Sequence, residues 1–347
     1  MIRRLSIVLA LSALFMGLAL HAGAATPDGP RLAIYMSKGE GLEVITVGPS
    51  GETPEALITD PEFDGGGDRL SWSADGSLFA LTVFGDFPDP PKAFGTGGAV
   101  AGVGRPDGSR LRAYPRVFLT GGDPVMAPHG ESLVFERVKL VKVLPGRENY
   151  LFKSSIWSLD VGDGSVRRLT RWRLAASLEP SSFSPDGSTL LVTSFGYRLE
   201  DGVMALDLRS RRLSLLAREA SEPTFSPDGT KLAFVREKVR RFQLPKPDRP
   251  ITELWVARSD GSGAQRILRA KGYISYPSWD PSGSRLSFTR NPPAEATGGL
   301  EPEPGNEVMA INADGTCLTR VFSDPEVTAY GSAWRPGPGR EAGPITC

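Results

Sequence analysis

The chain has 347 residues, with 40 basic and 40 acidic side chains, 40 glycines and 30 prolines. The balanced charge argues against nucleic acid or an anionic membrane as a partner of the chain as a whole. The glycine and proline content is typical of a chain with frequent tight turns, and the length suits either two ordinary domains or one large closed β structure.

Residues 1–25 have the three-part layout of a secretory signal peptide. Two arginines precede an apolar run over residues 7–20, and small residues follow it up to Ala25. The run is short for a membrane span, and its end suits a signal peptidase; an uncleaved anchor is the alternative. We therefore expect cleavage, a mature chain over 26–347 with a net charge of −2, and a periplasmic or secreted protein that is not embedded in the membrane.

A turn motif recurs along the rest of the chain. Each copy has an aromatic or large apolar residue, then turn formers and a glycine, then an apolar strand, as in FSPDGSTLLV. Proline sets the first corner of a tight turn, aspartate bonds the turn's own backbone, and glycine takes the left-handed conformation that closes it. Each copy therefore predicts a β-hairpin. The copies begin at Trp72, Met126, Phe183, Phe225, Trp279 and Trp334.

A second strand pair follows each complete copy. Examples are IWSLDVGDGSVRRLT at 156–170 and EVMAINADGTCLTRV at 307–321. Four strands thus recur in every unit of about fifty residues, without helical periodicity, which is the signature of a β-propeller. We predict an all-β, six-bladed propeller, with strands A to D numbered along each blade; a two-domain β-sandwich is the alternative that the regular spacing disfavours.

The two ends of the chain supply complementary parts of one blade. The segment TPDGPRLAIY at 26–35 has the turn and strand B but no aromatic residue ahead of them, whereas Trp334 ends a strand A with no strand B after it. Joined in space, they predict a sixth blade with one C-terminal strand and three N-terminal strands, near 31–36, 42–47 and 54–59.

The repeats FSPDGSTLLV, FSPDGTKLAF and WDPSGSRLSF resemble the WD-like (PD40) repeats of TolB-like six-bladed propellers, proteins of the bacterial periplasm. The resemblance covers essentially all of 26–347 and implies a single propeller, with 335–347 as a C-terminal tail. The family pattern includes an α/β domain ahead of the blades, and this chain resembles a stand-alone propeller without it. Because TolB-like propellers bind envelope lipoproteins and flexible peptides, the resemblance implies a protein or peptide partner.

Groups for catalysis are scarce in the sequence. Only His129 lies beyond residue 25, and it occupies the aspartate position of the degenerate turn MAPHG, so neither a Ser-His-Asp triad nor a histidine metal cage is available. The acidic loop at 59–68 lacks the spacing of an EF-hand calcium loop. We predict a non-enzymatic scaffold without cofactor or metal. The alternative is a carbohydrate- or small-ligand-processing enzyme with a carboxylate-based site in the channel.

Long insertions fall between strands B and C of several blades, at 84–97, 136–153, 235–251 and 290–305. Since B–C and D–A connections share one face of a blade, this face is elaborated and the A–B/C–D face is trimmed. The insertions at 136–153 and 235–251 predict protruding hairpins with basic residues. These residues predict a rim that binds an acidic or extended envelope protein or peptide. The alternative is that they protect exposed strand edges. The predicted partner-binding residues are Lys139, Lys142, Arg147, Tyr150, Arg236, Lys238, Arg240, Arg241 and Phe242.

The two cysteines, Cys317 and Cys347, predict a disulfide, because an even count in an exported chain favours one over a metal site. Both should emerge on the trimmed face, where a bond would hold the C-terminal tail. We expect the protein to be a monomer.

Overall fold

The computed structural model describes residues 29–37, 42–60, 67–85, 87, 98–107, 109, 111–119, 122–143, 150–196, 199–237, 250–291, 306–324, 327–337, 339 and 342–347. These ranges contain β-strands and no helix, arranged as six antiparallel sheets. The predicted all-β, six-bladed propeller is confirmed. None of the described segments forms a helix able to cross a membrane, and residues 1–25 lie outside the described ranges.

Each blade runs from strand A at the channel to strand D at the outside. Blade VI combines β1 (Leu32–Ser37), β2 (Leu42–Val47) and β3 (Glu55–Asp60) with β25 (Thr328–Trp334). Blade I consists of β4 (Ser71–Trp72), β5 (Phe79–Val83), β6 (Val100–Gly104) and β7 (Arg112–Phe118). Blade II consists of β8 (Val125–Met126), β9 (Ser132–Val143), β10 (Tyr150–Asp160) and β11 (Val166–Arg168), with β12 (Arg173–Leu174) added beside β10. Blade III consists of β13 (Ala176–Phe183), β14 (Thr189–Gly196), β15 (Gly202–Asp207) and β16 (Leu213–Arg218). Blade IV consists of β17 (Ser221–Phe225), β18 (Lys231–Glu237), β19 (Ile251–Arg258) and β20 (Gln265–Lys271). Blade V consists of β21 (Tyr273–Trp279), β22 (Arg285–Asn291), β23 (Glu307–Asn312) and β24 (Thr319–Phe322).

The ring closes as the two chain ends predict. Strand β25 pairs antiparallel with β1, and Trp334 lies opposite Leu32. Blade V repeats this register, with Trp279 opposite Leu286. The aromatic residue missing from the N-terminal copy of the motif is therefore Trp334, supplied from the other end of the chain.

The motif aspartates are turn formers, as their recurrence predicts. In blade IV, Asp228 accepts hydrogen bonds from the Ser226 hydroxyl at 2.6 Å and the Thr230 amide at 3.0 Å. These donors lower the pKa of Asp228, and Ser226 makes the largest contribution. Gly229 follows at φ 71°, the left-handed conformation that glycine adopts without steric cost.

Large side chains of the second strand fill the spaces between blades. Five of them, one in each of blades I, II, IV, V and VI, are fully buried, and burying such a side chain contributes about 1.5–3 kcal/mol. They are Phe79, Phe135, Phe234, Phe288 and Tyr35.

Serines on the inner strands link one blade to the next. The hydroxyl oxygens of Ser71, Ser182 and Ser278 accept the backbone amides of Met126, Phe225 and Trp334 at 3.0, 3.2 and 3.4 Å. Each amide belongs to the motif residue of the following blade. These bonds fix the inner strands relative to one another and therefore the dimensions of the channel.

The predicted hairpin of blade II is present. Strands β9 and β10 pair from Leu133↔Leu159 out to Val143↔Tyr150, on the elaborated face. The sequence did not predict β12, which pairs with β10 through Lys153↔Leu174. The second predicted hairpin falls largely on residues 238–249, outside the described ranges.

Candidate functional site

The inner strands carry acidic residues to one end of the channel. They lie three or four positions ahead of the motif aromatic or methionine, within strand A or just before it. They therefore share the elaborated face with the B–C insertions. Four blades contribute one each: Asp68, Asp123, Glu179 and Glu222. We call these four residues the acidic ring.

Asp123 is the most enclosed member of the acidic ring, with 6% of its surface exposed. Its carboxylate accepts the Thr82 hydroxyl at 2.5 Å and the Asp68 amide at 3.2 Å, so it ties its own blade to blade I. Burial raises the pKa of Asp123 to about 6. In a poorly solvated site the ionised carboxylate lacks the hydration it would have in water, so the charged form is disfavoured.

The pKa values of the two glutamates in the ring, Glu179 and Glu222, are also raised. Burial raises the pKa of Glu222 to about 7 even though its carboxylate accepts the Tyr276 amide. Burial, followed by repulsion from Glu136, raises the pKa of Glu179 to about 7. Near neutral pH these two glutamates are therefore only partly ionised.

A cation, Arg69, faces the acidic ring from blade I. Its guanidinium donates to the carbonyl oxygen of Pro180 in blade III, reaching past blade II. Its positive charge lowers the pKa of Asp123, Glu179 and Glu222, against the larger effect of burial. Its guanidinium thus interacts with carboxylates from three other blades.

The backbone of the inner strands is strained beside the acidic ring. Glu222 and Tyr276 have φ values of 53° and 55°, and each lies in an irregularity of strand pairing and precedes a proline. A non-glycine residue in this conformation costs about 1–3 kcal/mol, and such strain clusters at functional sites. In this case it brings the Tyr276 amide to the Glu222 carboxylate.

A cavity of about 410 Å³ occupies the channel on the other side of Arg69. It receives residues from all six inner strands, including the rings of Trp72, Phe183 and Phe225. Arg69 and Tyr276 also line it, whereas the four acidic residues do not. The channel therefore has a wall of aromatic and hydroxyl side chains toward the trimmed face and an acidic end toward the elaborated face.

The predicted partner-binding residues lie in different parts of the structure. Lys139 and Lys142 lie exposed on the blade II hairpin. Arg236, two blades away, packs over Phe234 and Trp255 at 5.2 and 4.7 Å from their ring centroids. Tyr150 begins β10 opposite Val143. Lys139, Lys142 and Tyr150 share the blade II hairpin, and Arg236 lies in blade IV. The remaining members lie outside the described ranges: Arg147, Lys238, Arg240, Arg241 and Phe242. Their role in binding stays a prediction.

Sequence reasoning noted Asp68, within the acidic loop at 59–68, but missed the other three members of the acidic ring, although a signal for them exists. An acidic residue or tyrosine precedes a proline just ahead of the motif residue in four blades: Asp123-Pro124, Glu179-Pro180, Glu222-Pro223 and Tyr276-Pro277. Within the described ranges no group of histidine, cysteine, aspartate and glutamate side chains is arranged to hold a metal. The acidic loop considered for calcium lies partly outside them, at residues 61–66.

The cysteine pair is placed as a disulfide requires. The Cα atoms of Cys317 and Cys347 are 5.3 Å apart, within the range of natural disulfides. Asn312 holds the tail nearby, since its side chain accepts the Ile345 amide at 2.7 Å and donates to the Ile345 carbonyl at 2.9 Å. Formation of the bond in the exported protein stays a prediction.

Comparison with known proteins agrees with this architecture. The chain is 25% identical over 295 residues to a TolB homologue from Chlorobium luteolum, a match that spans 71% of this chain and 64% of that protein. The crystal structure of TolB from Acinetobacter baumannii superposes with a TM-score of 0.62 at 15% identity, over 88% of this chain and 67% of the other. The fold is a TolB-like six-bladed propeller.

A second structure supports the TolB-like fold. A putative TolB from Agrobacterium tumefaciens gives a TM-score of 0.55 at 19% identity, over 89% of this chain and 99% of the other. No protein-family model matches the chain. The chain spans less than two thirds of the curated TolB homologue that it matches, so the likeness establishes the propeller, and partners and activity are matters for proposal.

Proposed function

We propose that the protein is an exported, non-enzymatic propeller scaffold that binds a protein or peptide at its elaborated face and channel mouth. The observation that carries this proposal is the convergence of the blade II hairpin and the acidic ring on one face. The TolB-like fold supports it, since proteins named TolB are among the relatives and structural neighbours of the chain.

The hairpin offers a contact surface of mixed character. Leu140 and Val141 are 36% and 48% exposed, and Lys139 and Lys142 flank them along β9. Exposed apolar residues beside positive charges suit a partner segment that is acidic and partly apolar. The acidic ring has the opposite preference, so an extended partner would orient with its acidic part on the hairpin and away from the channel.

A capture experiment tests this proposal. We would immobilise the full chain, expose it to envelope extract, and compare wild type with Lys139→Glu/Lys142→Glu. The matched control is Arg209→Glu/Arg212→Glu, which reverses two exposed charges on the trimmed face. We expect the hairpin variant to lose a partner that the control keeps. Recovery of the same partners by all three proteins, or capture of none by the wild type, would contradict the proposal.

A carboxylate-based enzyme is the second candidate, and the pKa values of Glu179 and Glu222 favour it. Two carboxyl groups with pKa near 7 in one channel can supply an acid and a base at neutral pH. Release of reducing sugar from envelope polysaccharides by wild type, lost in Glu179→Gln and Glu222→Gln, would support this candidate. No release by the wild type would remove it without touching the partner-binding proposal.

A further inference from the structure

A second cavity lies between blades II and III, on the trimmed face and apart from the channel mouth. It has a volume of about 240 Å³. Its floor is apolar and includes Val134, Leu169 and Leu206, and its rim carries three nitrogen-bearing side chains: His129, Arg167 and Arg211. The cavity therefore combines a hydrocarbon surface with potential anion donors.

The two rim arginines have no polar partner among the residues that the structure describes. Across the described residues, neither Arg167 nor Arg211 makes an ion pair or a hydrogen bond through its guanidinium. Some other arginines of the blades are engaged: Arg112 donates to the Val161 carbonyl at 2.7 Å, and Arg266 pairs with Glu253 at 2.9 Å. Guanidinium groups bind carboxylate and phosphate through a planar fork of donors, so this pair is available to a ligand.

Arg211 has a backbone conformation that glycine would adopt with less steric strain. The C–D turn of blade III bonds the Arg211 amide to the Asp207 carbonyl, and the turn of equal length in blade II bonds Gly164 to Asp160 in the same way. Both residues are left-handed, with φ of 60° for Arg211 and 74° for Gly164. Only the non-glycine residue bears a steric cost there. Arginine at this position is unfavourable for the turn and places a cation at the cavity.

His129 removes a negative charge from the same cavity. It occupies the turn position that is Asp75 in blade I and Asp186 in blade III. Asp186 also lines the cavity, but its carboxylate accepts the hydroxyls of Ser184 and Ser188 at 2.5 and 2.9 Å. Two arginines thus face one carboxylate that is engaged in its own turn, and the cavity keeps a positive excess.

We infer that this cavity binds a small anion with an apolar body. The carboxylate or phosphate head lies between Arg167 and Arg211, and a short hydrocarbon chain or ring lies on the apolar floor. The site is on the opposite face from the partner surface of the proposed function and is independent of it.

Calorimetric titration of the full chain tests the site. Octanoate and octyl phosphate probe the two anionic heads, 1-octanol probes the apolar body alone, and acetate probes the head alone. We expect at least one of the two anions to bind, and to bind more tightly than 1-octanol and acetate. We further expect Arg167→Gln/Arg211→Gln to weaken that binding by at least about tenfold, since charge-assisted hydrogen bonds are lost.

Matched variants make the result decisive. Arg168→Gln/Arg212→Gln removes the neighbouring exposed arginines, which do not line the cavity, and should leave affinity unchanged. Ser158→Phe places a ring in the cavity and should abolish binding while thermal unfolding stays cooperative. The imidazole signals of His129 should shift on titration with the bound anion. Failure of both anions to bind, equal binding by 1-octanol, or equal losses in the two arginine pairs would overturn the inference.

Discussion

The turn aspartates and the acidic ring place the same kind of side chain under opposite electrostatic conditions. Asp228 lies at the trimmed face, its carboxylate bonded by its own turn, and those donors lower its pKa. Glu222, six residues earlier and at the other end of the same inner strand, has its pKa raised to about 7 by burial. The sequence repeat identifies the first group because those residues build the repeat. The second group lies just outside the repeated unit, where side chains are free to serve binding or chemistry.

The largest effect should come from opening the ring that holds both groups. Deletion of residues 26–35 removes most of β1, the strand that pairs with β25, and we expect loss of cooperative unfolding measured by circular dichroism. A chain lacking only residues 1–25 is the control and should unfold cooperatively. A truncated protein with an intact thermal transition would show that closure through Leu32 and Trp334 is dispensable.

Removal of the cysteine pair should cost less than opening the ring and should not depend on pH. For a separation of 30 residues, the loop-entropy model gives a disulfide contribution of about 3–4 kcal/mol. We expect Cys347→Ser to lower the free energy of unfolding in urea by about this amount, equally at pH 5 and pH 8. Two free thiols found by mass spectrometry in oxidised wild-type protein would contradict the bond.

The acidic ring should make the folded state less stable as the solution becomes alkaline. The folded-state pKa of Glu222 is about 7 against an ordinary 4.5, so the folded protein keeps a proton that the unfolded chain releases. Stability from this residue is present below about pH 4.5 and is lost as pH rises through 7. At pH 8, Glu222→Gln should raise the free energy of unfolding by about 1–3 kcal/mol. Unfolding in urea from pH 5 to pH 8 measures this, and an unchanged pH slope in the variant would count against it.

Substitution of a turn aspartate should have the opposite sign and a smaller size. The pKa of Asp228 lies below its ordinary value of 3.8, so its stabilising effect is present above pH 3.8 and is lost as pH falls through the lowered pKa. Asp228→Asn should therefore destabilise at neutral pH and show little difference from wild type in strong acid. The same urea series, extended to low pH, provides the measurement. A variant more stable than wild type at pH 7 would remove the contrast with Glu222.

The sequence predicted those parts of the molecule that local chemistry determines. The hairpin motif has proline, aspartate and glycine at fixed positions. It therefore predicted the blade count, the closure through Trp334 and the role of Asp228. The acidic ring escaped prediction because Asp123, Glu179 and Glu222 are far apart in the chain and become neighbours only when three inner strands meet. Their pKa values depend on burial in the folded channel. Arg69 carries no local pattern at all.

Pairing of β1 with β25 also determines when the propeller ring can close during synthesis. Leu32 finds its partner in Trp334, near the other end of the chain, which is a contact of very long sequence separation. Contacts of this kind form late, because the intervening chain must first be ordered. Strands β1 to β3 therefore remain without an inner neighbour until the last strand arrives. The ring thus stays open, with the inner edge of β1 unpaired, until β25 has been made.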